Sequence, residues 1–388
     1  MGAAEPHVLF ISERAGFAGG IERFMFSTAG ILRAAGMRVS GCFEHPDRDA
    51  ERFARNFDHM YDFGELPDAD IAVVHRATGP EMLERLLERY GEKLALYVHD
   101  HDYYCPRTYR YTPFGCKDCR RTYSMIRCGA CAMATSPRRW RGGFFSALAA
   151  RTVRCRRRLE LLRQVRRTAV LSEFMRGNLI ANGFAPERIT VIPPPIPAPE
   201  ALPERAENTP PRLLFTGQLI RGKGCDQLLR ALPLLHHDHH LMIAGEGNQR
   251  PELERLAAKL GIADKVSFLG WVAEPEKLYS LCDIAVLPFF WQEPFGLVGP
   301  EALVRGMPVV AFRVGGVDEW LVDGENGFAV PPRDIPAFAA AIDNLLADRE
   351  QRLKFGVRGR ELVRRRFSDV AFTEGFEAWM GASGGGER

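Results

Sequence analysis

Hydrophobic positions follow two alternating patterns along the chain. Short apolar runs with β-branched residues predict buried strands, for example His7–Ser12, Leu94–His99 and Leu213–Thr216. Between such runs, apolar residues recur at helical spacing, as in Ile21–Gly36 and Pro251–Leu260. Alternation of strands and helices is typical of a parallel, doubly wound sheet. The pattern therefore predicts an α/β fold.

A proline-rich segment separates two copies of this pattern. It lies within residues 196–211, and proline-rich chains are stiff and extended. We predict an N-terminal domain at residues 1–195, a linker at 196–211 and a C-terminal domain at 212–366. Residues 367–388 predict a C-terminal helix and a disordered tail. Two domains also fit a chain of 388 residues, because single domains usually contain about 100–200.

Composition limits the class of protein more than the charge does. Hydrophobic residues make up 46% of the chain and charged residues 26%, as in ordinary soluble proteins. No apolar run reaches the roughly 18 residues of a membrane span, and the first residues lack the regions of a signal peptide. We therefore expect a cytoplasmic protein. The net charge of +3 by itself favours no partner.

Positive charge is concentrated in one stretch. Residues 138–167 contain eleven arginines and one acidic residue, Glu160. Apolar residues of this stretch form one helical stripe, flanked by Trp140 and Phe145. The stripe consists of Phe144, Leu148, Cys155, Leu159, Leu162 and Val165. Such a basic amphipathic helix can lie on an anionic membrane surface, bind nucleic acid, or be the solvated face of an ordinary helix.

The cysteines are clustered as well. Five of the nine fall between positions 105 and 131, inside a segment at 103–135 that we interpret as an insertion. Two pairs, Cys116/Cys119 and Cys128/Cys131, have the C-x2-C spacing of structural zinc sites, and Cys105 could replace one member. The gap between the pairs is shorter than the usual gap of about 15–20 residues. The pattern predicts either a structural zinc site or free thiols that pack a loop.

The segment from Glu293 to Glu301 carries the clearest chemistry. Two carboxylates stand eight residues apart around a glycine turn, just after the apolar run Asp283–Pro288. Small residues let a backbone approach a ligand closely, and a helix that starts near Gly296 would direct free N–H groups at an anion. The carboxylates can accept hydrogen bonds from hydroxyl groups. This combination suits a sugar nucleotide.

Three glycine turns follow predicted strands of the C-terminal half. They contain Gly217, Gly245 and the segment Gly270-Trp271-Val272. The first turn continues to Arg221 and Lys223, whose charges can neutralise a diphosphate. Backbone groups of the third turn could bind a nucleobase edge, and Trp271 either covers that site or packs in the core.

The N-terminal half contains two further segments that are candidates for ligand binding. Gly19 and Gly20 lie between the first predicted strand and helix, a position that suits binding of a phosphate or an acceptor by backbone amides. His99 ends the run that begins at Leu94, and His101 is the alternative at this strand end. Both histidines could instead belong to an exposed His/Asp cluster.

These motifs, in this order, resemble the E-x7-E family-four retaining glycosyltransferases. The resemblance covers nearly the whole chain, including Gly315–Glu319 and Asp323–Phe328. It implies the GT-B fold, in which two Rossmann-like domains face a cleft, with the donor bound by the C-terminal domain and the acceptor by the N-terminal domain. Pro300 departs from the family, which usually has an aliphatic residue there, but proline is tolerated in a first helical turn.

The resemblance also implies a role for each site residue. Arg221 and Lys223 would contact the diphosphate, and Glu301 would contact the ribose. Glu293, together with the backbone of 295–297, would contact the donor sugar and phosphates. His99 would lie close to the transferred sugar. The backbone segment consists of Phe295, Gly296 and Leu297.

The reaction implied by the resemblance is retaining transfer of a hexosyl group. The donor would be a nucleoside diphosphate sugar and the acceptor a glycan or lipid-linked molecule of the cell envelope. No metal would be required for the chemistry, no nucleic acid is expected as a partner, and the basic helix suggests peripheral binding to the inner face of the membrane. Three alternatives remain at this point: a transferase acting on a small soluble acceptor, a non-catalytic protein that binds sugar nucleotides, and a zinc-containing nucleic-acid-binding protein.

Overall fold

The computed structural model describes residues 5–17, 19–47, 49–76, 79–107, 110–112, 118–133, 144–202, 209–272 and 274–381. The chain forms two compact units. One comprises Met1–Pro195 together with Asp369–Arg388, and the other comprises Ile196–Ser368. The predicted disordered tail falls largely at 382–388, outside the described residues.

The N-terminal unit is built from alternating strands and helices. Its strands are β1 (His7–Ala15), β2 (Arg38–Pro46), β3 (His59–Asp62), β4 (Ile71–Val74), β5 (Leu94–Val98), β6 (Arg167–Val170) and β7 (Ile189–Val191). Its helices are α1 (Gly20–Ala34), α2 (Ala50–Ala54), α3 (Pro80–Tyr90), α4 (Met125–Met133), α5 (Phe144–Leu162) and α6 (Glu173–Ala181). The seven strands form one parallel sheet in the order β3-β2-β1-β4-β5-β6-β7.

The second unit repeats this plan. Its strands are β8 (Arg212–Thr216), β9 (His240–Ala244), β10 (Val266–Gly270), β11 (Ile284–Leu287), β12 (Val309–Phe312) and β13 (Gly327–Val330). Its helices are α7 (Cys225–Ala231), α8 (Arg250–Lys259), α9 (Glu276–Leu281), α10 (Val298–Val304), α11 (Ile335–Ala347) and α12 (Arg349–Arg366). The parallel sheet has the order β10-β9-β8-β11-β12-β13. The predicted α/β fold class with two parallel-sheet units is confirmed.

The central strands are buried on both faces, as their apolar runs predict. Residues 8–11 of β1, 71–74 of β4 and 94–98 of β5 have almost no exposed surface. A side-chain cap starts α6, because the Ser172 hydroxyl accepts a hydrogen bond from the Met175 N–H at 3.2 Å. The strands β3 and β13 were not predicted, since both are short and only partly buried.

The last helix of the chain, α13 (Asp369–Gly381), belongs to the N-terminal unit. Its apolar face is buried there: the ring of Phe372 lies 5.9 Å from that of Phe24 on α1, and the ring of Trp379 lies 6.3 Å from that of Tyr97 on β5. The chain therefore passes through the second unit and returns to complete the first one.

Candidate functional site

The strand order of the second unit reverses between β8 and β11, and ligands bind at such switch points in open α/β sheets. The loops that follow these two strands lie against each other. The Gly222 carbonyl accepts hydrogen bonds from the N–H groups of Phe290 and Trp291, at 3.2 and 3.3 Å. Gly224 has φ +68°, and a Cβ at this position would lie 1.9 Å from the Pro288 carbonyl oxygen, so only glycine allows this approach.

Lys223 and Glu293 meet at this junction. The ammonium nitrogen lies 2.8 Å from Glu293 Oε2, and the two side chains are only 14% and 11% exposed. The same nitrogen lies 4.3 Å from the ring centroid of Phe289 and 5.1 Å from that of Trp291. The indole N–H of Trp291 also donates to Glu293 Oε2. A positive charge is thus fixed at the switch point by one carboxylate and two aromatic faces.

Arg221 occupies a different environment. It begins the 3-10 turn Arg221–Lys223 and is exposed, and it forms no ion pair with any residue in the described ranges. The structure therefore brings Lys223 and Glu293 together, while Arg221, two residues before Lys223, has an exposed side chain.

The backbone of the Glu293 loop is fixed by contacts with residues 315–320. Gly316 N–H donates to the Glu293 carbonyl at 2.8 Å, and a Cβ on Gly315, which has φ +61°, would lie 2.0 Å from the same oxygen. Trp320 is fully buried, and its indole N–H donates to the Phe295 carbonyl at 2.6 Å. These contacts fix the path of the chain through Gly296, which also has a positive φ.

Glu301 lies in the first turn of α10, which begins at Val298 rather than at Gly296. The Tyr279 hydroxyl on α9 donates to Glu301 Oε2 at 3.0 Å. Burial raises the pKa of Tyr279 well above its usual value, so the phenol remains a neutral donor. The main chain of Glu301 is fixed as well, because Arg305 Nη1 donates to its carbonyl at 3.0 Å.

The glycine turns at the ends of β8, β9 and β10 are in contact with one another. Gly217 N–H donates to the Ala244 carbonyl at 3.0 Å, and Gly245 N–H donates to the Gly270 carbonyl at 2.7 Å. A Cβ on Gly245 would lie 1.9 Å from the Gly217 carbonyl oxygen. Trp271, next to these turns, is 64% exposed, so the alternative in which it packs in the core is wrong.

In the N-terminal unit, the Glu22 carboxylate lies close to the start of α1. A Cβ on Gly19 would lie 3.2 Å from Glu22 Oε2, and the buried Glu22 carboxylate contacts Arg76 Nη1 at 3.5 Å. A carboxylate at this helix start disfavours a second anion. The Arg76 guanidinium offsets part of that negative charge, and binding of a phosphate or an acceptor by Gly19 and Gly20 stays a prediction.

Neither candidate histidine belongs to an exposed cluster, so that alternative is wrong. His99 is buried, and its Nε2 lies 3.0 Å from His75 Nδ1. Burial lowers the pKa of His99 to about 3, so the ring is neutral at physiological pH. His101 is fully buried, and its Nδ1 lies 2.6 Å from the Tyr104 hydroxyl oxygen. Burial, followed by the charge of Asp102, raises the pKa of Asp100 to about 6.

The cysteine cluster gives no metal site within the described residues, where no group of three His, Cys, Asp or Glu side chains could hold a metal ion. Cys116 lies outside those residues. Cys119, Cys128, Cys131 and Cys105 form no disulfide, and two accept weak hydrogen bonds: Cys131 Sγ from Arg107 and Cys128 Sγ from Ser124 N–H, both at 3.4 Å. The zinc site stays a prediction.

Much of the Arg-rich stretch lies in α5. The predicted stripe residues that the structure shows in detail, Cys155, Leu159, Leu162 and Val165, are buried. Several arginines pair with acids of the neighbouring segment: Arg154 with Glu81, Arg157 with Glu84 and Arg166 with Glu92. Trp140 lies outside the described residues. Across the part of the chain that is described, no helix has the length and apolar character needed to cross a bilayer.

Three residues that contact candidate site residues of their own unit were missed in the sequence: Trp291, Tyr279 and His75. Trp291 stands only two positions before Glu293, and its closeness to the acidic motif was an available signal. His75 also ends an apolar run, as His99 does. Tyr279 gave no signal, because it stands 22 positions from its partner and on another helix.

Comparisons with known proteins agree with this geometry. Residues 200–362 match the profile of the family described as glycosyl transferases group 1. The uncharacterized glycosyltransferase MJ1607 of Methanocaldococcus jannaschii is 41% identical over 140 residues, which are 35% of this chain and 36% of that protein. The lipopolysaccharide core biosynthesis glycosyltransferase LpsE of Rhizobium meliloti is 32% identical over 166 residues, which are 43% of this chain and 48% of that protein.

The likeness in fold extends over nearly the whole chain. The structure of Anabaena Alr3699/HepE in complex with UDP and glucose matches with a TM-score of 0.69 at 18% identity, over 96% of this chain and 99% of that one. The chain therefore has the GT-B fold, and residues 200–362, less than half of its length, are similar to the group 1 glycosyltransferases. In sequence it spans less than half the length of the two curated relatives named above.

Proposed function

We propose that this protein is a retaining hexosyltransferase. It moves a sugar from a nucleoside diphosphate sugar to a glycan or lipid-linked acceptor of the cell envelope. The observation that carries the proposal is the Lys223–Glu293 pair at the switch point of the second unit, with the exposed Arg221 beside it and Glu301 fixed by Tyr279.

The proposed donor site is built from two cations, Arg221 and Lys223, and two carboxylates, Glu293 and Glu301. Arg221 and Lys223 neutralise the diphosphate, and they stabilise the negative charge that develops on it as the glycosidic bond breaks. No metal ion is needed for that task. Glu301, which Tyr279 holds in place, accepts hydrogen bonds from the ribose hydroxyls. Glu293 accepts hydrogen bonds from the sugar once the diphosphate has taken its place beside Lys223.

In the proposed reaction the anomeric carbon keeps its configuration. Its bond to the diphosphate oxygen breaks, and the acceptor oxygen forms the new bond on the same face. The acceptor proton goes to the leaving diphosphate. His99 does not take that proton, because burial keeps its pKa at about 3 and it is therefore a very weak base. Its neutral ring instead orients the sugar.

In the proposed function, the N-terminal unit binds a membrane surface on which the acceptor lies. Ile126 at the start of α4 is 85% exposed, Met125 and Val153 are also exposed, and the neighbouring Arg127 is exposed without an ion pair in the described ranges. Apolar and cationic side chains together bind anionic bilayers. The name of the relative LpsE, a lipopolysaccharide core enzyme, supports an acceptor of this kind.

Vesicle sedimentation tests this part. We expect the protein to sediment with anionic vesicles, and the variants Ile126→Glu and Arg127→Glu to lose most of that binding. Leu353→Glu serves as a control, because it changes an exposed apolar residue of the other unit. Absence of binding by the native protein would instead favour a soluble acceptor. The ion pairs that partly neutralise the Arg-rich stretch favour that second candidate.

A donor screen tests the transferase itself. Calorimetry with UDP-, GDP- and ADP-sugars should reveal one preferred nucleotide, and NMR of the product should show the anomeric configuration of the donor retained. Binding without turnover on any acceptor would indicate a non-catalytic sugar-nucleotide protein. An inverted product would refute the retaining mechanism.

A further inference from the structure

His75 and His99 end two neighbouring strands of the N-terminal sheet. His75 follows β4 and His99 follows β5, and these strands are paired in parallel. The two rings are nearly parallel, with centroids 5.3 Å apart, and His75 Nδ1 lies 3.0 Å from His99 Nε2. The His75 ring is 4.3 Å from Phe10 and 5.6 Å from Tyr97 between centroids. The mechanism proposed above gives His75 no role.

The His75 side chain is buried and almost without polar contacts. The residue is 1% exposed, and its Nε2 has no hydrogen-bond partner. Its backbone is fixed on both sides: His75 N–H donates to the Ile11 carbonyl at 2.9 Å, and the Tyr103 hydroxyl donates to the His75 carbonyl at 3.4 Å. The ring therefore has one polar contact, and that contact is His99.

Only one proton can occupy the bond between the two rings. If His99 Nε2 carried it, the neutral His75 would hold its own proton at Nε2, where a buried N–H group would have no acceptor. If His75 Nδ1 carries it, only a lone pair of His75 is left without a partner. Buried N–H groups without acceptors are the rarer case in folded proteins. The geometry therefore favours His75 as the donor and His99 Nε2 as the acceptor.

Both rings are neutral in this setting. Burial lowers the pKa of His75 well below its usual value, and the proximity of His99 lowers it further. Burial alone lowers the pKa of His99. With Nε2 occupied by His75, Nδ1 is the His99 nitrogen that stays available to a ligand, and His99 keeps 7% of its surface exposed.

We propose that His75 is a positioning residue that holds His99 as the Nδ1–H tautomer, so that His99 presents a hydrogen-bond donor to an oxygen of the transferred sugar. This inference rests on the proposed function, in which His99 contacts that sugar. A donor at this position fixes the sugar through a hydroxyl or ring oxygen and removes no proton from the acceptor.

The tautomer can be read directly in the native protein. Long-range 1H–15N spectra of protein labelled with 15N-histidine distinguish protonated from unprotonated ring nitrogens, and the signals of His99 are assigned by their loss in His99→Gln. We expect His99 to be protonated at Nδ1 and unprotonated at Nε2. A His99 ring protonated at Nε2 would overturn the proposal, whatever the activity.

Two variants then separate positioning from packing. His75→Phe keeps an aromatic ring against Phe10 and Tyr97 but removes the donor, whereas His75→Asn keeps an N–H close to the position of Nδ1. In His75→Phe we expect His99 to shift towards the Nε2–H tautomer and kcat to fall roughly 10-fold, as for other residues that orient a functional histidine. His75→Asn should restore the native tautomer and most of kcat. Equal losses of kcat in both variants, with an unchanged tautomer, would show a packing role and overturn the proposal.

A double variant separates this inference from the proposed function. In a His99→Ala background, His75→Phe should cause no further loss of kcat, because its effect is transmitted through His99. A further loss would contradict the positioning role. Full activity of His99→Ala alone would instead contradict the role of His99 in the proposed reaction, while the spectra would still report which tautomer the pair adopts.

Discussion

Replacing Lys223 by methionine removes one positive charge and keeps most of the length of the side chain. The ammonium group forms a 2.8 Å ion pair with Glu293, and both side chains are largely buried. Removing one partner of a buried pair leaves the other charge without compensation, which costs about 3–5 kcal/mol when burial is complete. Since both side chains keep some exposure and Trp291 still donates to Glu293, we expect a loss of about 2 kcal/mol for this pair.

The same substitution should reduce catalysis for a different reason. Loss of one charged group that stabilises the leaving diphosphate should lower kcat by roughly 100-fold or more. The double variant Lys223→Met/Glu293→Gln separates the two effects. Neutralising Glu293 removes the unpaired carboxylate, so thermal stability should return to near the native value while kcat stays low.

Thermal unfolding and steady-state turnover with the preferred nucleotide sugar measure these effects side by side. A melting temperature lowered by roughly 4–8 °C corresponds to the expected loss in a unit of this size. Full activity of Lys223→Met would show that Lys223 does not contact the diphosphate. Recovery of kcat in the double variant would show that Lys223 serves only to neutralise Glu293.

Three further outcomes are expected. Tyr279→Phe removes the hydrogen bond to Glu301 and should weaken donor binding by roughly 5-fold in calorimetry, which is the effect of a bond worth about 1 kcal/mol; unchanged affinity would exclude a role for Tyr279 in holding Glu301. Asp100→Asn should stabilise the protein by as much as about 3 kcal/mol at neutral pH. The raised pKa of Asp100 gives a contribution to the free energy of unfolding that is present below about pH 4 and is lost as pH rises through about 6. Denaturant unfolding at pH 4 and pH 7.5 checks this, and an equal difference in unfolding free energy between variant and native protein at both pH values would contradict it. Metal analysis of the purified protein should find zinc bound by the cysteine pairs, and a cysteine-to-serine variant of either pair should lose it; absence of zinc from the native protein would leave free thiols as the interpretation.

Local sequence determined those parts of the fold and site that depend on neighbours in the chain. The apolar runs predicted the central strands, because a strand buried on both faces must be apolar throughout. The acidic motif was legible because Glu293 and Glu301 belong to one continuous loop and helix start.

Only the tertiary structure decided which of these segments meet. Lys223 and Glu293 are 70 residues apart, and their pairing depends on β8 and β11 lying side by side in the sheet. Trp271 could not be assigned to core or surface, because both environments accept an indole ring and burial is set by distant elements. The return of α13 to the N-terminal unit had no local signal either, since its apolar face fits any partner of suitable shape. Periodicity and turn chemistry act over a few residues, whereas the contacts that hold Glu293, Glu301 and His99 arise from strand order, which no short segment specifies.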